Sequence, residues 1–205
     1  MNQDTDQGAA NDLDLFHAAK RGNYDAFEQI VRRHHDRVYR LAFGMTKNQS
    51  EAEEVVQDTF LNAWKSIDSF RGDSKPATWI YRIAANTALM RLRSKRRNPT
   101  LAFDEVPNGA SLSGEVELLG PPTAWSRQPD EKLLTSELGS VIDAAVDLLP
   151  EKYRLVLLLR DVEGLSNEDV ASTVGLTIPT VKSRLHRSRM FVRERLEDYF
   201  RKALT

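Results

Sequence analysis

The stretch from Asn98 to about Gln128 most constrains the fold, because it carries no sustained apolar spacing while the sequence on either side of it does. Asn108-Gly109, Gly114 and Gly120-Pro121-Pro122 punctuate it, and such dipeptides favour turns over regular structure. A run of that length without elements of its own is uncommon inside one compact domain. The expectation is an all-α chain of two small helical domains joined by an extended linker. Its parts are an N-terminal helical bundle over residues 12–97, an acidic linker over 98–130 and a C-terminal helix-turn-helix domain over 131–205.

Both flanks are patterned as helix. A short first helix is predicted over Leu13–Arg21, stopping at Gly22. Tyr24–Met45 follows with apolar residues at Phe27, Ile30, Val31, Val38, Leu41 and Ala42, interrupted by a polar gap at Arg32–Arg37. Ser50-Glu51-Ala52-Glu53 matches a capping box, and the helix behind it sets Ala52, Val55, Val56, Thr59, Ala63 and Ile67 on one face. Glu54, Gln57, Asp58 and Asn62 occupy the other. Phe70–Ser74 breaks the pattern, and Ser74 with Pro76 announces a last helix from about Lys75 to Arg97. Beyond the linker, Leu133, Leu134, Leu138, Val141, Ile142 and Ala145 form a stripe, and Pro150 starts a second helix that Gly164 closes.

Ser166–Arg189 is the most informative segment. A short helix with Ser166 as its cap, a turn at Gly175, and a longer helix opened by Thr177-Ile178-Pro179 make a helix-turn-helix. Val170, Ala171, Val174, Leu176, Val181 and Leu185 are expected to bury the crossing. Thr180, Lys182, Ser183, Arg184, His186, Arg187 and Arg189 are left for the outer surface of the second helix, which suits a major groove.

The net charge of −1 does not by itself suggest nucleic acid, but its distribution does. Arg82–Arg97 holds six basic residues and no acid, and Lys182–Lys202 carries a net +5, whereas Asn98–Glu131 carries a net −5. Segregation of this strength points to different partners for different segments. The chain has no cysteine, which excludes disulfides, thiolate metal sites and a cysteine nucleophile. Only His17, His34, His35 and His186 are available for metal or acid–base work, so no enzyme activity, metal, cofactor or small-molecule substrate is expected. The polar, acidic start lacks the pattern of a secretory signal, and the apolar run at Leu155–Leu159 is far too short to span a bilayer. A cytoplasmic location is expected.

Three stretches together resemble the extracytoplasmic-function (ECF) sigma factors of bacterial RNA polymerase. They are Glu51–Trp64, Phe70-Arg71-Gly72 followed by Thr78–Asn86, and the helix-turn-helix. The resemblance covers Leu13–Arg97 and Glu131–Leu204. It implies that Glu54, Gln57, Asp58 and Asn62 dock on core polymerase. It also implies that the loop Arg71–Ala77, with Asp73, Ser74 and Lys75, forms a pocket for a flipped base of the −10 promoter element. Asn86 would lie nearby as a hydrogen-bonding group, with Trp79 and Tyr81 as candidate stacking rings and Arg82, Arg91 and Arg93 on phosphates. Thr180, Lys182, Ser183, Arg184, His186, Arg187 and Arg189 would serve the −35 element. The chain departs from the family at Leu89-Met90, where an acidic residue is common, and Pro76 is a second departure. The resemblance further implies promoter DNA as partner and an anti-sigma factor, often membrane-bound, that would hold the protein at the inner membrane face. A dimeric helix-turn-helix regulator working without polymerase is the alternative. It accounts for the C-terminal block but leaves the N-terminal stretches unexplained.

Overall fold

The structure, a computed structural model, describes residues 3–95 and 134–203. The expected linker over 98–130 lies outside the described residues. The chain divides into two compact units, Met1–Arg96 with Glu168–Leu176 and Arg97–Asn167 with Thr177–Thr205. Among the described residues every regular element is helical.

In the first unit, α1 (Gln3–Lys20), α2 (Tyr24–Thr46), α3 (Gln49–Ser66) and α4 (Pro76–Lys95) form a bundle, with a short 3₁₀ turn at Ile67–Ser69. The first helix starts well before the predicted Leu13. Helix α2 is capped by Asn23, whose side chain accepts from the Ala26 amide at 3.0 Å, satisfying one of the free donors at a helix start. The cap of α3 is Asn48, which accepts from the Glu51 amide at 3.0 Å. Ser50 therefore lies inside the helix, and the capping box expected there is replaced by an asparagine two residues earlier.

The buried face of α3 matches its apolar spacing. Ala52, Val55, Val56, Thr59, Ala63 and Ile67 are all buried, and the Thr59 hydroxyl donates to the Val55 carbonyl at 2.6 Å. The polar gap in α2 closes differently. His34 is only 5% exposed, and its Nε2 lies 3.0 Å from the Asp12 carboxylate on α1. Arg33 bonds the other oxygen of the same carboxylate at 2.9 Å. Burial alone would raise the Asp12 carboxyl, but hydrogen bonds and charge from His34 and Arg33 outweigh it and hold the group below its ordinary value. A polar knot thus fills the place where a periodic apolar residue would sit.

The first unit also takes in Glu168–Leu176, which holds all of α7 (Asn167–Val174) but its first residue. Asp169 on α7 accepts from Lys75 at 3.0 Å and from the Thr78 hydroxyl at 3.2 Å. Gly175 follows with φ of +68°, a left-handed conformation that glycine adopts without strain. It ends α7 so that the Leu176 amide turns back to the Ala171 carbonyl at 3.0 Å.

In the second unit, α5 (Leu134–Asp147) and α6 (Glu151–Leu157) pack with α8 (Ile178–Ala203). Leu149, Tyr153, Val156, Leu159, Val181 and Leu185 are among its buried apolar residues. Past Leu157 the helix widens into a π turn over Leu158–Val162, a feature that re-aims side chains relative to regular helical spacing. One result is that Asp161 faces α8.

Candidate nucleic-acid interface

The loop ahead of α4 is fixed from behind. Phe16, Phe70 and Trp79 form a three-ring cluster with centroids 4.8, 5.7 and 5.6 Å apart in tilted and edge-on arrangements, the geometries aromatic quadrupoles favour. Lys20 donates to the carbonyls of Asp68 and Phe70 at 2.8 and 3.1 Å. Between these anchors Arg71, Gly72 and Asp73 are exposed, Ser74 is partly exposed and Lys75 is exposed. Gly72 takes φ of +81°, which folds the loop back toward the start of α4. Sequence spacing gave no sign of the Lys20 staple, because its acceptors are main-chain carbonyls of a distant segment.

Helix α4 buries Ile80, Tyr81, Ala84, Ala85 and Ala88 and exposes Arg82, Asn86, Met90 and Arg93. The exposed four recur at helical-turn spacing and so share one arc. Tyr81 requires a correction. It is 2% exposed, with the Arg37 guanidinium 5.8 Å from its ring centre, so the ring belongs to the core and is not presented to a base. Trp79 is likewise spent on the loop's root in the three-ring cluster, with only part of its surface open.

Three cations on and beside this helix are already engaged. Arg82 donates to the Ser172 carbonyl and hydroxyl at 2.7 and 2.9 Å, and Lys75 pairs with Asp169 at 3.0 Å. Arg91, expected to hold a phosphate, forms an ion pair with Glu54, expected on the polymerase face; their side chains are 33% and 47% exposed. Gln57, Asp58 and Asn62 are exposed beside Glu54 on α3, opposite that helix's buried face.

On α8 the candidates separate into two groups. Lys182 is exposed, and Thr180, Ser183, Arg184, His186 and Arg187 are partly exposed. The Thr177 and Thr180 hydroxyls lie 2.8 Å apart at the helix start. Val181, Leu185 and Ser188 fill the buried side, where the Ser188 hydroxyl donates to the Arg184 carbonyl at 2.8 Å. Arg189 departs from expectation. Its Nε and Nη2 donate to the two Asp161 oxygens at 3.0 and 2.6 Å, a bidentate arrangement suited to the planar guanidinium. The hydrogen bond to Asp161 raises the Arg189 pKa against the opposing effect of burial. In this conformation Arg189 holds the domain together instead of facing phosphate. Val170 and Ala171 on α7, like Val181 and Leu185, are buried, whereas Val174 and Leu176 keep part of their surface open.

Among the described residues no group of three or more His, Asp or Glu side chains is placed to hold a metal ion. No helix among them is long and apolar enough to cross a membrane.

Known proteins resemble the chain over both of its helical regions. Residues 30–98 match the Sigma-70 region 2 family and residues 140–192 the Sigma-70 region 4 family. The ECF RNA polymerase sigma factor SigW of Bacillus subtilis is 34% identical over 180 residues, spanning 87% of this chain and 93% of that protein. The RNA polymerase sigma-H factor of Pseudomonas aeruginosa is 31% identical, spanning 94% of this chain and 97% of the relative. Among solved structures, CnrH in complex with the cytosolic domain of CnrY superposes with a TM-score of 0.63 at 23% identity, covering 92% of this chain and 98% of that one. That likeness concerns the fold. The two matched regions, in order along a sequence aligned with SigW over nearly its full length, establish that the chain belongs to the ECF family of RNA polymerase sigma factors.

Proposed function

We propose that this sigma factor engages core polymerase through α3, captures the −10 element with the Arg71–Lys75 loop and α4, and reads the −35 element with the first turns of α8. The observation that carries the reading is the division of labour on α3 and α4. Glu54, Gln57, Asp58 and Asn62 present acids and amides on one helix. Arg82, Asn86 and Arg93 line an exposed arc on another, in a span without acid. Acidic and amide groups suit a protein partner, and cations with an amide suit phosphates and a base edge. A dimeric regulator that never meets polymerase has no use for the α3 face.

On this reading residues 12–97 form the polymerase and −10 domain and 131–205 the −35 domain, with 98–130 as the acidic connection. Asp73 and Ser74 contribute polar groups to the base pocket, and Lys182, Ser183, Arg184, His186 and Arg187 approach the groove. The protein holds no chemistry of its own, needs no metal or cofactor, and works in the cytoplasm on a polymerase that supplies catalysis. An anti-sigma factor is the expected antagonist. Solved relatives of similar fold include CnrH with the cytosolic domain of CnrY and RpoE with the anti-sigma factor NepR from Bartonella quintana.

The test is co-elution of the protein with core polymerase on a sizing column, followed by promoter-directed transcription from the complex. Asp58→Arg is expected to abolish co-elution while leaving duplex DNA binding through α8 unchanged. A wild-type protein that binds promoter DNA but never co-elutes with polymerase would defeat the assignment.

A further inference from the structure

Met90 is 68% exposed. Among the described residues, Tyr24 is the one large apolar side chain on the surface that is more open, and its ring rests on Trp64 with centroids 4.9 Å apart. Leaving methionine in water forgoes a favourable transfer out of it, and its flexible, polarisable thioether is well suited to an adaptable contact. Its place on α4 defines the partner. Met90 lies one helical turn beyond Asn86 and on the same arc as Arg82 and Arg93. Arg91 is outside this arc, drawn to Glu54 on α3. The span Arg82–Arg97 has six basic residues and no acid, so whatever covers this arc is a polyanion.

We infer that Met90 is a base-specificity residue that packs on the 5-methyl group of a thymine in the promoter strand held along α4. The chemistry selects that group. A thioether has no donor and is a weak acceptor, so it cannot read the amino and keto edges of bases. It can meet apolar surface, and the thymine methyl is the aliphatic group that DNA bases offer to such contacts. Asn86, one turn earlier, supplies the directional hydrogen bond that Met90 lacks. Phosphates held by Arg82 and Arg93 would set the register between the two. The inference rests on the promoter reading above and adds to it a residue and a base.

The experiment uses the reconstituted holoenzyme and promoter fragments that it enriches from a randomised duplex library. Each thymine of the enriched −10 element is replaced in turn by deoxyuridine, which removes only the methyl. Wild-type binding is expected to fall about fourfold at one position, the worth of roughly one buried CH₂. Met90→Ala is expected to bind the parent fragment with the same deficit and to show no thymine–uracil difference there. Putting 5-methylcytosine in place of cytosine at that position should restore part of the wild-type affinity and none in Met90→Ala. Because Met90 is exposed, the variant keeps its fold, checked by an unchanged melting temperature. A flat uracil scan, or a methyl effect that persists in Met90→Ala, overturns the inference. Failure of the wild-type holoenzyme to enrich any promoter would instead sink the promoter reading itself.

Discussion

Helices α4 and α8 are both rich in basic residues, yet they hold their cations in different ways. Helix α4 has no acid from Arg82 onward, and its cations find partners on other elements, Arg82 on Ser172 and Arg91 on Glu54. Helix α8 carries acids of its own in its second half, and these make local pairs, Arg193 with Glu197 at 2.9 Å and Arg201 with Asp198 at 3.7 Å. Arg189, partly buried, is bound to Asp161 of the π turn. The lesson is that basic count along a helix overstates the surface available to DNA. What decides is whether the neighbouring acid is part of the rigid domain or can be exchanged for phosphate.

The comparison can be broken at several points. The largest effect is expected where α4 is anchored. Tyr81→Ala should destabilise the first unit by about 3–5 kcal/mol, as truncation of a buried aromatic does. Chemical denaturation measures this, and a variant of parental stability that has lost only −10 binding would return the ring to the DNA surface. Next is Asp161→Ala, which strands the partly buried Arg189 and should lower stability by about 1–3 kcal/mol, the range for losing a charged hydrogen-bond partner. Thermal melting of the chain tests it. If melting is unchanged while −35 affinity rises, Arg189 is a DNA residue masked by Asp161.

Smaller effects should follow at the exposed positions. Lys182→Ala is expected to weaken binding to −35 duplexes and to reduce the slope of log affinity against log salt by about one, as for a single phosphate contact. An unchanged slope combined with altered sequence preference would move Lys182 from phosphate to base. Glu197→Gln should change stability by no more than about 0.5 kcal/mol, since exposed pairs one helical turn apart are weak. A larger loss would show that the second half of α8 depends on its own ion pairs.

How much of this was legible in the sequence varies with the residue. Both faces of α3 follow from its apolar spacing, because one side is fully buried and the other fully exposed. The gap in α2 was not legible, since His34 needs Asp12 from another helix to be buried without penalty. Tyr81 misled for a related reason. Trp79, Ile80, Tyr81 and Ile83 crowd several faces of α4 with large apolar groups, so spacing could not say which ring points inward. Arg189 depends on Asp161, whose direction is set by a π turn that a regular helical period does not anticipate. At α3, Asn48 and Ser50 are both good caps, and the earlier one prevailed. Met90 was marked in the sequence only as part of a departure from the family, and its exposure was needed to give it a role.

One consequence remains in the contact between Glu54 and Arg91, which bridges the surface proposed for the enzyme and the surface proposed for the template. Around a closed thermodynamic cycle each ligand must alter the other's affinity by the same factor. If docking draws the carboxylate away and frees the guanidinium for phosphate, then a captured promoter strand must tighten the hold on polymerase to the same degree. An exposed pair sets the ceiling at about 1 kcal/mol, or a few-fold. The first unit would then work as a lever with two ends, and a Glu54→Gln variant would free one of them permanently.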